Sequence, residues 1–176
     1  MFFTLEKLER NTKQLKDLRY RERMEIPSFD ASTPEEEPVG KRPESVVYTG
    51  TLKKGDFWIG RGTYLWIRQS VEIPAEWVGK KIAGLFNMGK TGEGLNSGFE
   101  GLIYVNGSPY CETGSYHEEV IFPSELAGTK VELAIRLWAG LEGGGVPTQQ
   151  THQFKQAELA VLDEVADDFY YSSRAV

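Results

Sequence analysis

Leu5, Leu8, Leu15 and Leu18 recur at helical spacing in an otherwise polar stretch, so the chain opens on an amphipathic helix. Thr4 is its N-cap in this reading, and Phe3 with Leu8 forms a hydrophobic staple. Such a narrow stripe has to pack against something, either this domain or a neighbour. From Glu25 to about Gly50 the periodicity is lost. Pro27, Pro34, Pro38 and Pro43 remove backbone donors and Glu35, Glu36 and Glu37 form an acidic run, which predicts a long extended connection. Beyond Gly50, short apolar runs rich in β-branched and aromatic residues alternate with Gly, Pro and Asn. They predict strands over 46–52, 62–73, 81–86, 101–105, 117–122, 130–138 and 156–162. Strands at this spacing, with no helical period between them, indicate an all-β sandwich. Val105-Asn106-Gly107-Ser108 predicts a hairpin, because Asn-Gly accepts the positive φ angles of a type I′ turn. The last stretch reads as the opening of a second helix, with Ala166, Phe169, Tyr170 and Ala175 on its apolar side. The expected organisation is an N-terminal helix (1–24), a Pro/Glu-rich connection (25–50), a β-sandwich (51–163) and the start of a helix (164–176) leading to a further domain.

The chain's 176 residues suit one domain with some decoration, and 40% hydrophobic residues sustain a packed core. A net charge of −6 argues against nucleic acid as a partner, which needs a clustered basic face. The basic residues from Lys13 to Arg23 are interleaved with acids on the predicted helix and read as a solvated face. Cys111 is the single cysteine, so no disulfide forms within the chain; it fits a reducing compartment and the role of a small hydrophobe. The brief apolar start is followed at once by Glu6, Lys7, Glu9 and Arg10, so neither a signal peptide nor a membrane span is expected. The chain reads as cytoplasmic, with no membrane partner.

Few motifs carry chemistry. Gly84 to Thr91 satisfies the phosphate-loop pattern GxxxxGK[ST]. That loop needs a helix to start at its lysine, whereas Thr91 is followed by Gly92, Gly94 and Gly98, each costing about 1 kcal/mol in a helix interior. Nucleotide binding is therefore a remote alternative. The two histidines carry no nucleophile signature: His117 precedes a strand and reads as structural, and His152 lies in a polar stretch and reads as exposed. No HxH, HxD or CxxC spacing marks a zinc site. The aromatics say more, since Trp and Tyr faces stack on sugar rings as well as filling cores. Trp66 reads as core. Trp58, before Gly60 and Gly62, and Trp138, beside a glycine-rich loop, are the candidates to face a groove.

The strand series Tyr64-Leu65-Trp66-Ile67-Arg68, Val71-Glu72-Ile73-Pro74, Trp77-Val78-Gly79-Lys80, Leu85-Phe86 and Ile103-Tyr104-Val105-Asn106-Gly107 resembles the galactose-binding-like jelly-roll domains of glycoside hydrolases. The leading helix, the stretch Gly114-Ser115-Tyr116-His117-Glu118 and the closing run from Ala157 to Glu164 resemble more particularly the N-terminal region of cytosolic-type α-mannosidases of glycoside hydrolase family 38. The likeness covers most of the chain from Phe57 onward. It implies a jelly-roll, galactose-binding-like β-sandwich that precedes a catalytic domain. That domain would hold zinc through a His-x-Asp element, use an aspartate nucleophile and hydrolyse α-mannosides with retention, in a homo-oligomeric parent. None of those elements occurs here, so no catalytic residue and no cofactor is expected in this chain. The resemblance implies an accessory domain that packs on the catalytic domain and contacts α-mannoside glycans. The loop from Ala139 to Pro147, with Gly143 and Gly144, is the candidate to reach the substrate cleft, because glycines let backbone approach a ligand. The alternative is an autonomous carbohydrate-binding module of the same fold.

Overall fold

The computed structural model describes residues 4–36, 40–89, 98–141 and 148–175. Helix α1 (Thr4–Leu18) is followed by strands β1 (Tyr20–Glu25), β2 (Ser28–Ser32), β3 (Tyr48–Lys53), β4 (Phe57–Gly60), β5 (Tyr64–Glu72), β6 (Ile82–Asn87), β7 (Glu100–Val105), β8 (Ser108–Gly114), β9 (Glu119–Phe122), β10 (Lys130–Trp138), β11 (Gln150–Gln153) and β12 (Gln156–Leu162), and by helix α2 (Glu164–Arg174). The strands form a four-stranded sheet, β1-β12-β6-β9, a six-stranded sheet, β3-β2-β5-β10-β7-β8, and a small β11-β4 pair, all antiparallel. The two larger sheets stack as a sandwich. Leu65, Ile67, Leu133 and Ile135 of one inner face meet Ile82, Phe86, Leu159 and Phe122 of the other, and burying this alternate set drives the sheets together.

The predicted hairpin is present: Asn106 and Gly107 have φ of 50° and 80° and join β7 to β8. Along the far edge of the sandwich, the Tyr110 hydroxyl of β8 donates to the Ile121 carbonyl of β9 at 2.6 Å, linking the two sheets. Pro109 is tolerated because β8 is an edge strand.

The region 25–50 differs from the expected connection. Phe29 and Ala31 of β2 are buried in the sandwich core, and β2 pairs with both β3 and β5. Pro27 lies just before β2, where its missing donor costs the ladder nothing. The first helix also ends earlier, at Leu18, and Tyr20–Glu25 forms the edge strand β1. The helical faces are shifted too: Leu18 is 60% exposed, as is Phe169, whereas Tyr170 is buried. Phe3, half of the expected staple, lies outside the described residues. Helix α1 packs on α2, where the Thr12 and Ser173 hydroxyls meet at 3.2 Å. Asp163 caps α2 by accepting from the Val165 and Ala166 amides at 3.1 and 3.0 Å.

Arg19, between α1 and β1, joins this helical pair to the sandwich. It is only 4% exposed. Its Nη2 donates to both Glu119 carboxylate oxygens, at 3.0 and 2.8 Å, its Nε to Asp167 of α2 at 2.6 Å and its Nη1 to the Tyr20 hydroxyl at 2.8 Å. The rings of Tyr20, Tyr170 and Tyr171 surround it at 5.0, 4.9 and 5.0 Å. Burial opposes the charge, but the Asp167 hydrogen bond and the Glu119 charge outweigh it and push the guanidinium's pKa up. Burial, then the hydrogen bond it donates to Glu119, pushes the Tyr20 phenol up as well.

Removing the guanidinium leaves two carboxylates without their partner. Arg19→Met is therefore expected to cost about 3 kcal/mol, the low end for breaking a buried pair because both acids stay about one quarter exposed. Urea unfolding measures it; a midpoint equal to that of the parent chain would show that the network adds nothing to stability.

Candidate functional site

The outer face of the six-stranded sheet is where chemistry-bearing side chains gather. Antiparallel register sets Tyr64, Trp138, Glu100 and Gly114 on one rung across β5, β10, β7 and β8, and Trp66, Arg136, Leu102 and Glu112 on the next. Further along, Val46 and Tyr48 cover Trp66, Tyr104 and Ala134 and form a small second core. Trp66 is thus core, as expected, but on the outer side of its sheet. Apart from Trp66, the first two rungs stay open. They form a groove of about 560 Å³, walled by Tyr64 and Trp138 on one side and by the turn Ser115-Tyr116-His117 on the other. The groove continues for about 280 Å³ past Trp138 and Tyr116 to Gly98, Gly140 and Leu141. Arg136 lies 5.2 Å from the Tyr64 ring centroid, so its guanidinium is held against the aromatic wall.

The groove ends at Gly98, Gly140 and Leu141, and a buried ring pair holds Met88, just after β6, and Ala139, just before Gly140. In the β4-β11 pair His152 lies directly opposite Trp58. The rings stack with centroids 4.3 Å apart and planes at 25°. Trp58 Nε1 donates to the Met88 carbonyl at 2.9 Å, at the foot of the loop after β6. His152 Nε2 lies 2.8 Å from the Ala139 carbonyl, at the foot of the loop after β10. A carbonyl only accepts, so Nε2 carries the proton. Gly89 has φ of 92°, and a Cβ there would come within 2.4 Å of the Gln153 backbone, so only glycine fits this crossing.

Several expectations are corrected. Trp58 does not face a groove; it is 5% exposed and belongs to the core. His152 is not exposed but fully buried. Both errors have one cause: β4 and β11 are short, and their alternation turns Trp58 and His152 inward while Phe57, Ile59 and Thr151 face out. Trp138 does line the groove, half-buried. Gly143 and Gly144 lie outside the described residues, as do Lys90 and Thr91. Gly84 sits in the middle of β6, with antiparallel neighbours on both sides, where a Cβ would come within 2.5 Å of the Phe122 ring and 2.6 Å of the Phe86 ring. A phosphate loop starts where a strand ends and a helix begins; here the strand runs on through Gly84 to Asn87. Tyr64, Arg136, Glu100 and Glu112 were not singled out from sequence, and their shared rungs become visible only once β5, β10, β7 and β8 are in register.

Nucleophilic chemistry finds no foothold at Cys111, because burial pushes its thiol up to about 11. Among the described residues no three His, Cys, Asp or Glu side chains converge as a metal set. No described helix is long and apolar enough to cross a membrane. Behind the 115–117 turn, a second hollow of about 640 Å³ opens over the Arg19 network. Glu118 sits there, its carboxyl pushed up by burial, and accepts from Asn87 Nδ2 at 2.7 Å.

Burial holds the pKa of His152 below its ordinary value near 6.5, and the Ala139 carbonyl offsets this only in part. The unfolded chain then binds a proton that the folded chain refuses. Stability is complete above about pH 6.5 and falls as the pH drops toward the folded-state value. In His152→Gln, the loss of stability between about pH 7.5 and about pH 5.5 is expected to shrink relative to the parent chain, as read by unfolding midpoints. An identical loss in both proteins would remove His152 from the acid response.

No protein-family model matches the chain, and no curated protein is similar to it in sequence. Solved structures do resemble it. A β-glucuronidase of Faecalibacterium prausnitzii aligns over 82% of this chain and 32% of its own, at 10% identity and a TM-score of 0.53. The β-glucuronidase of Ruminococcus gnavus aligns over 81% and 29% at a TM-score of 0.51, with 14% identity in its apo form and 15% in complex with uronic isofagomine. The chain thus spans about a third of the length of these enzymes. At such identity the likeness is one of fold, and none of the three is an α-mannosidase. The chain has an all-β sandwich fold that also occurs within glycoside hydrolases.

Proposed function

We propose that this chain is a non-catalytic accessory domain of a glycoside hydrolase and, more finely, the N-terminal sandwich of a cytoplasmic, retaining α-mannosidase of family 38. The observation that carries the reading is the aromatic-walled groove on the outer sheet face, which runs to Gly140, next to the Ala139 carbonyl that His152 pins. That arrangement presents an open groove on the outer face of a packed sandwich, which suits a body that supports a sugar-cleaving partner better than one that performs the cleavage. The family assignment rests on the sequence resemblance, and zinc in this reading belongs to the partner catalytic domain. The open face holding Trp138 and Tyr64 also favours a second reading, an autonomous carbohydrate-binding module.

Hydrolysis separates these readings from an enzymatic role. The isolated chain is expected to release no aryl alcohol from aryl α-mannosides, with or without added zinc, while the same chain joined to its catalytic domain does. Turnover by the chain alone, or a joined protein that cleaves β-glucuronides and not α-mannosides, would overturn the proposal.

A further inference from the structure

The geometry points to a ligand class for the outer-face groove: we infer that it binds a neutral pyranose ring, stacked on Trp138 beside the Tyr64 ring that Arg136 covers. This rests on the sugar-contacting part of the proposed function and names its site. Trp138 and Tyr64 are direct cross-strand partners, and both line the groove. The apolar C–H face of a pyranose matches such a wall, and its edge carries hydroxyls. Those hydroxyls need acceptors and donors within reach. Glu100 shares the rung of Trp138, and Arg136 and Glu112 share the next. Among the described residues, no hydrogen bond or ion pair engages the Glu100, Glu112 or Arg136 side-chain ends. The groove therefore presents a guanidinium donor and two carboxylate acceptors to a ligand's hydroxyls.

Charge narrows the class. Two carboxylates face one guanidinium, so a uronate, sulfated or phosphorylated sugar meets net repulsion, whereas a neutral sugar meets only hydrogen-bonding groups. Size agrees: about 560 Å³ falls within the roughly 300–1,000 Å³ of small-ligand sites. The continuation past Trp138 toward Gly140 gives a second ring of a glycan a path to the loop feet.

Calorimetric titration of the whole chain with methyl α-mannoside and with short α-mannosides, and with glucuronate as the anionic control, tests the site. A Kd in the millimolar range or tighter is expected for the neutral sugars, with weaker or absent heat for glucuronate. Trp138→Ala should weaken neutral binding at least about tenfold, as truncated aromatic anchors do. Glu112→Gln, which preserves shape, should weaken it several-fold and improve glucuronate binding. A glucuronate Kd below that of the neutral sugars would overturn the inference. So would unaltered binding in a Trp138→Ala protein whose unfolding midpoint matches the parent's, or no heat from any neutral sugar. Failure here leaves the hydrolysis result untouched, because that experiment reads catalysis and partner activity without reference to this groove.

Discussion

A guanidinium taken almost wholly out of water keeps its charge only where its donors find acceptors, and Arg19 meets that condition with side chains from three parts of the fold. Glu119 begins β9, Asp167 lies in the first turns of α2, and Tyr20 opens β1. The Arg19 carbonyl also accepts the Asp163 amide at 2.7 Å, so one residue ties the end of α1 to the cap of α2 through the backbone as well. Little apolar burial joins the helices to the sandwich, since Tyr170 alone of the described α2 side chains is buried. Their placement depends on this charged centre. Glu119 lies just beyond the turn that walls the groove, so the helical pair and one side of the candidate site share an anchor.

The other end of the groove has a different kind of anchor. Trp58 and His152 use ring stacking and two hydrogen bonds to carbonyls, with no formal charge. Each ring buries a large apolar face and aims its single N–H at a backbone group that a loop departure would otherwise leave unpaired. Between the two anchors, the outer face of the sheet supplies Tyr64 and Trp138 from strands whose inner faces are fully packed. The sandwich core thus fixes the spacing of the candidate site from behind, and the groove needs no loop of its own to hold its aromatic wall.

The strands that sequence reveals are those with buried, β-branched or aromatic runs: β5, β7, β10 and β12 carry the core and were legible. The missed strands are short or polar for physical reasons. β1 reads Tyr-Arg-Glu-Arg-Met-Glu because an edge strand with a solvent face needs few apolar residues. β8 contains Pro109, and β11 reads Gln-Thr-His-Gln although its histidine is the most deeply buried polar residue described. The same limit applies to the site. Trp138 was legible from its place beside a glycine-rich loop, and Trp58 was misplaced by the same kind of cue. Glu100, Arg136 and Glu112 are ordinary charged residues until antiparallel register brings them together.

Gly84 and Gly89 carry a consequence for descent. Gly84 is required because the Phe86 and Phe122 rings lie over its Cα, and Gly89 because its backbone crosses that of Gln153. Two unrelated steric demands thus stand five residues apart and spell the glycine frame of a nucleotide motif. Selection for folding alone would retain that frame through generations of divergence. Glycines kept in step across descendants of this sequence would be a fossil of ring packing and strand crossing, inherited without any nucleotide having been bound.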